Sequence, residues 1–99
     1  MTKNRYKPQI YFHPGETLAE KLEEMDLSPA EFAEFIDKSF KTINDVINGK
    51  AAINQDLAVL FETATKIPAH FWLNSQRDYD EFMQKRYKKA NREAVLVLA

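Results

Sequence analysis

Two helix starts stand so close together in this chain that little else about its fold is left free. Ser28-Pro29-Ala30-Glu31 places an acceptor at an N-cap, proline at the first helical position, and a glutamate three residues on to complete a capping box. Ser39 offers a second cap, and Asn48-Gly49 supplies a left-handed close for the helix after it. The earlier helix carries Phe32, Ala33 and Ile36 at helical spacing, with Phe35 widening its apolar face, and ends near Asp37. The later one carries Ile43, Val46 and Ile47 as its buried stripe. Only Asp37-Lys38-Ser39 separates them. That spacing is a helix-turn-helix, with the second rod held at a steep angle to the first.

The remaining segments read as more helix. One begins at Pro14-Gly15-Glu16 with Leu18, Leu22 and Met25 on one stripe. Another is capped by Asn54, has Asp56 in its first turn, and turns Leu57, Leu60, Phe61 and Ala64 inward. Pro68 opens a segment containing Phe71, Trp72 and Leu73. After Asn74-Ser75 a polar helix is predicted from Gln76 to Arg92, and residues 94–99 either extend it or form a strand-like tail. The chain thus divides into an arm (1–13), a helix-turn-helix domain (14–75), and a C-terminal helix with an apolar tail (76–99). Tyr79, Phe82 and Tyr87, with Val95, Leu96, Val97 and Leu98, have little core left to cover. Their expected role is contact with a second copy or a partner.

Composition removes several classes of function. The chain has 99 residues, room for one domain. With no cysteine there is no disulfide, thiolate zinc site, iron–sulfur cluster or thiol nucleophile. The start, Met1-Thr2-Lys3-Asn4-Arg5-Tyr6, is too polar for a secretory signal, and the run 94–99 is too short to cross a bilayer. A cytoplasmic address is expected. His13 is read as orienting the corner before Pro14, and His70 as lying at a core edge. Glu20, Glu23 and Glu24 are read as a solvated face. No HExxH, no Ser/His/Asp arrangement and no glycine-rich phosphate loop occurs, so no enzyme, metal, cofactor or small-molecule substrate is expected.

The net charge is −1, awkward for a nucleic-acid binder, but the charges are segregated. Lys3, Arg5 and Lys7 precede an acidic stretch from Glu16 to Glu34 broken only by Lys21, and Lys85, Arg86, Lys88, Lys89 and Arg92 come after it. On the helix after Ser39 the outward positions are Phe40, Lys41, Thr42, Asn44, Asp45 and Asn48. Asn44 suits a two-bond contact with adenine, and Thr42 suits a base or a phosphate. Lys41 and Lys50 are the nearest phosphate partners. Asp45 repels phosphate unless aimed at a cytosine amino group, and Phe40 fits a thymine methyl or a protein interface. So few cations imply a dimer with two reading helices about one duplex turn apart. A helical protein-binding module is the rival reading.

The pattern as a whole resembles a HigA-type antitoxin of the Xre/Cro-like helix-turn-helix proteins. The resemblance rests on His13-Pro14-Gly15-Glu16 with Leu18, Leu27-Ser28, Ala33, Ser39, Thr42-Ile43, Ile47-Asn48-Gly49-Lys50, Leu57-Ala58 and Phe71-Trp72-Leu73-Asn74. It implies an all-α, five-helix, lambda-repressor-like domain with a C-terminal helical extension. It also implies a homodimer that neutralises a RelE-like, mRNA-cleaving, HigB-like toxin and represses the shared operon through operator DNA. Carried across, Ser39, Phe40, Lys41, Thr42 and Asn44 form the operator-facing start of the reading helix, with Lys50 at the DNA backbone beyond it. The chain departs from the family pattern at Asp37, where glycine is usual, at Lys38, where a buried aliphatic is usual, and at Phe40, often polar or basic. Two alternatives stay open: a stand-alone Xre-family regulator, and a protein-interaction subunit that kept the scaffold without DNA recognition.

Overall fold

In the computed structural model five helices succeed one another: α1 (Pro14–Met25), α2 (Pro29–Phe35), α3 (Phe40–Ile47), α4 (Gln55–Thr65) and α5 (Ala69–Leu98). The structure describes residues 11–98, with side chains as far as Lys88. Lys3, Arg5, Lys7 and Ile10, and the side chains of Lys89, Arg92, Val95, Leu96, Val97 and Leu98, lie outside the described residues.

The helices start where the sequence offers an acceptor. The Gly15 N–H donates to His13 Nδ1 at 2.9 Å. The Glu31 N–H donates to Ser28 Oγ at 3.1 Å, and the Ser28 N–H donates back to Glu31 Oε1 at 2.8 Å, so the capping box is complete. Ser39 Oγ and Asn54 Oδ1 cap α3 and α4, accepting from the N–H groups of Thr42 and Leu57. The ends were less legible. Gly49 takes the expected left-handed turn (φ 75°), but Asp26 (60°), Asp37 (58°) and Lys66 (70°) do the same without glycine. Left-handed backbone costs a residue with a side chain roughly 1–2 kcal/mol. Hydrogen bonds from Leu27 N–H to Leu22 O and from Lys38 N–H to Ala33 O close α1 and α2.

The core joins Leu18 and Leu22 of α1, Phe32 and Ala33 of α2, Ile43 and Val46 of α3, Leu57, Ala58 and Phe61 of α4, and Trp72 of α5. Rings run through it in sequence, Phe32 to Phe61 at 5.7 Å and Phe61 to Trp72 at 5.2 Å, the latter edge-on. Trp72 is fully buried, and its Nε1–H donates to the Ile67 carbonyl at 3.2 Å. This fixes α5 to α4.

Three expectations need correction. Phe35 does not widen the buried face; it is 68% exposed. On a helix of seven residues Phe32 and Ala33 already take the inward positions, with Ile36 buried just past its end, and Phe35 falls about 100° round the axis from Ile36. Nor does the chain break at Asn74-Ser75, since α5 runs unbroken from Ala69 to Leu98. Asparagine and serine are weak helix breakers, and Trp72 and Gln76, one turn apart and both buried, hold the helix in line. Of the two conformations open to the tail, the helical one is adopted through Leu98. His70 is exposed rather than at a core edge, because Trp72 is the inward residue of that turn.

Gly15 sets the contact between α1 and α3. A Cβ there would collide with the Val46 carbonyl oxygen and lie 3.0 Å from the Ile47 Cα, both backbone atoms that cannot swing aside. His13 is buried beside this contact, edge-on to Tyr79 at 5.0 Å and hydrogen-bonded to the Ala51 backbone. Burial pushes its imidazole below the usual 6.5, against the opposing pull of Asp80, the Ala51 bond and Glu16. The neutral ring is also the form whose Nδ1 can accept from Gly15.

Replacing Gly15 with alanine should lower unfolding free energy by about 3 kcal/mol, the upper range for overpacking. Urea denaturation should show a reduced midpoint with an unchanged slope. Because the folded pKa of His13 is depressed, its contribution is fully present above the unfolded value of 6.5 and is lost as pH falls below that value through the folded one. His13→Asn keeps a cap acceptor without titrating. Its stability should therefore lack the wild-type decline that sets in as pH falls through about 6.5, read as melting temperature.

Candidate nucleic-acid interface

Buried residues on one side of α3 decide what its other side presents. Ile43 and Val46 are fully buried and Ile47 is half-buried, so the helix sits against α1 and α2 along that stripe. Around the rest of the helix, Phe40 is 51% exposed and Lys41 and Asn48 are exposed, while Thr42, Asn44 and Asp45 are half-buried. Lys38 and Lys50, just outside each end, are also exposed. Lys38 therefore leaves the place of a buried aliphatic for solvent. The residues singled out from sequence thus lie on one short helix and its flanks, as a band of amide, hydroxyl, ammonium and aromatic groups.

Their internal bonds limit what they offer. Ser39 Oγ lies 2.9 Å from Thr42 Oγ1 and caps the Thr42 N–H as well. One turn further on, Lys41 Nζ donates to Asp45 Oδ2 at 2.8 Å. That carboxylate raises the Lys41 pKa, chiefly through the hydrogen bond. Asp45 therefore competes with any phosphate for the exposed Lys41 ammonium. The pairing was readable in the i,i+4 spacing, yet sequence reasoning treated the two residues separately. With the Thr42 N–H taken by Ser39, the amides of Phe40 and Lys41 are the ones at the α3 N-terminus that suit an anionic oxygen.

Sequence reasoning also missed Gln76. This residue is 6% exposed and accepts from the Ile53 N–H at 2.9 Å while donating to Asp80 at 2.9 Å. It ties the segment after α3 to α5, behind the candidate surface. The one signal was its place a turn beyond Trp72 on the same face.

The aromatic residues of α5 separate into two groups. Tyr79 meets His13, and Phe82 meets Tyr11 at 5.7 Å with Arg86 over its ring, so both are partly used inside the chain. Tyr87 is 68% exposed and Met83 42%. Glu20, Glu23 and Glu24 face solvent, Glu24 paired with Lys21 at 3.2 Å. Among the described residues no group of three or more His, Asp or Glu is placed to hold a metal ion, and no helix is long and apolar enough to cross a membrane.

Against known proteins, residues 18–72 match the helix-turn-helix family model. Virulence-associated protein A of Dichelobacter nodosus is 38% identical over 69 residues, covering 68% of each chain. An antidote protein of a plasmid maintenance system from Nostoc punctiforme superposes with a TM-score of 0.84 at 34% identity, over 89% of this chain and 97% of that one. The Pseudomonas aeruginosa antitoxin HigA, solved with the higBA promoter, superposes with a TM-score of 0.72 at 31% identity, over 86% and 91%. The matched segment holds both capped rods, the turn between them and Trp72. The chain belongs to the helix-turn-helix family and is related to the HigA-like antitoxins within it.

Proposed function

We propose that this protein is the antitoxin of a type II toxin–antitoxin pair. In this reading a cytoplasmic homodimer represses its own operon through α3 and neutralises a RelE-like, mRNA-cleaving toxin of the HigB kind. The observation that carries it is the outward polar band of α3 in a fold shared with a HigA solved on promoter DNA. In the groove, Thr42 and Asn44 meet base edges, Ser39 and Phe40 flank them, and Lys41, Lys50 and the first amides of α3 hold phosphates.

Two reading helices are needed because one carries so little positive charge. Dimerisation through α5 supplies the second: Tyr79, Phe82 and Tyr87 with Val95, Leu96, Val97 and Leu98 are the proposed contacts. The large exposure of Tyr87 supports that assignment. A specific observation also favours a second reading. Exposed Phe40 and the Lys41–Asp45 pair suit a protein-interaction subunit without DNA recognition, and the same binding assay separates the two.

Anisotropy with DNA from upstream of the gene should show salt-sensitive binding. Lys41→Ala should weaken all sequences alike and lower the salt slope by about one. Asn44→Ala should relax base preference, and Asp45→Asn, by releasing Lys41, should tighten binding and steepen the slope. Curves unmoved by all three would remove α3 as the reading helix. Light scattering should find the full chain dimeric and a chain ending at residue 90 monomeric. Co-purification with the product of the adjacent reading frame should recover a small basic nuclease, and its absence would favour the stand-alone regulator.

A further inference from the structure

Phe35 stands in solvent beside a groove of 380 Å³. Met25 and Leu27 line one side, Ala64 of α4 another, and Glu31 and Glu34 of α2 the rim. Leu27 and Ala64 rest on the core, so the floor of the groove is held firmly. Glu31 is also fixed, because its Oε1 accepts the Ser28 N–H in the capping box.

The α1–α2 side of the groove carries one sign of charge. From residue 22 to residue 37 the sequence holds Glu23, Glu24, Asp26, Glu31, Glu34 and Asp37 and no lysine or arginine. Lys21, just before this run, is engaged with Glu24. A phosphate backbone would be repelled here. A large apolar ring left in water, ringed by carboxylates, suits a protein surface that offers an apolar side chain among cations.

We infer that this groove docks a basic segment of a partner protein, inserting one large apolar side chain against Phe35, Leu27 and Ala64 while its lysines or arginines meet Glu31 and Glu34. A protein that cleaves RNA needs a cationic surface to hold its substrate. An acid-rimmed groove is complementary to such a surface and would compete with RNA for it. The identity of the partner as the toxin rests on the proposed function; the groove and its charge do not.

The probe is a fluorescein-labelled synthetic helical peptide with lysines flanking a stripe of leucine and one phenylalanine. Its control has glutamate in place of every lysine. Anisotropy should show binding of the lysine peptide, weakened by salt, and none of the control. Phe35→Ser should weaken binding roughly thirtyfold, as loss of a central interface anchor does, and Glu34→Lys should weaken it as well. Both residues are exposed, and the emission of Trp72, the only tryptophan, reports whether each variant keeps its core. Equal affinity of wild type and Phe35→Ser would overturn the proposal. So would a change of oligomeric state in Phe35→Ser without peptide, since the occupant would then be a second copy. Should the adjacent gene product co-purify equally with Phe35→Ser and Glu34→Lys, the groove is wrong and the antitoxin reading stands. If nothing co-purifies but the peptide still needs Phe35, the groove stands and the antitoxin reading fails.

Discussion

The missing side chain at Gly15 lets the first turn of α1 lie directly on the carbonyl that ends the buried stripe of α3. Much depends on that close approach. His13, which caps α1, lies close to Gly49, where an added Cβ would come 3.8 Å from its ring, and bonds to Ala51. The segment leaving α3 is therefore gripped from the α1 side by His13 and from the α5 side by Gln76, through Ile53. With Ile43 and Val46 locked inside, α3 turns its polar band, and Phe40 with it, to the exterior. Rigid support of this kind is what the proposed role of α3 requires, since base contacts must be held to a fraction of an ångström.

The surface that results is electrostatically restrained. Lys41 is bonded to Asp45, and the chain carries a net charge of −1. Phosphate neutralisation supplies most non-specific attraction to DNA, so one such helix would hold a duplex weakly. A protein of this kind gains from pairing two helices, because linked sites raise effective concentration without new contacts. α5 runs well past the Trp72 anchor to Leu98, the length on which the proposed pairing draws. Acidic residues of α1 and α2 meanwhile set that side of the molecule apart from the proposed DNA-facing side of α3.

The legible part of the structure was the part written in local chemistry. Ser28, Glu31, Ser39 and Asn54 announced their helices, and all four side chains form the capping bonds their spacing implied. Gly49 likewise announced an end. Asp26 and Lys66 did not, because neither is the glycine that usually marks a left-handed helix end, though both adopt that backbone. Phe35 and the continuity of α5 were misread for a related reason. Periodicity marks which residues are apolar, but a two-turn helix has too few inward places for all of them. Whether a polar pair breaks a helix depends on neighbours such as Trp72 and Gln76, which are anchored by residues distant in sequence. Long-range bonds of the Gln76 kind leave no short motif to read.

The reading surface itself is tested most directly by amide chemical shifts of the isotope-labelled full chain during titration with DNA from upstream of its gene. The predicted result is a contiguous set of perturbed amides from Ser39 to Lys50, quenched as salt is raised, with Glu23 to Glu34 undisturbed. Perturbation centred on α1 and α2, or none at duplex concentrations that saturate a related repressor, would contradict it.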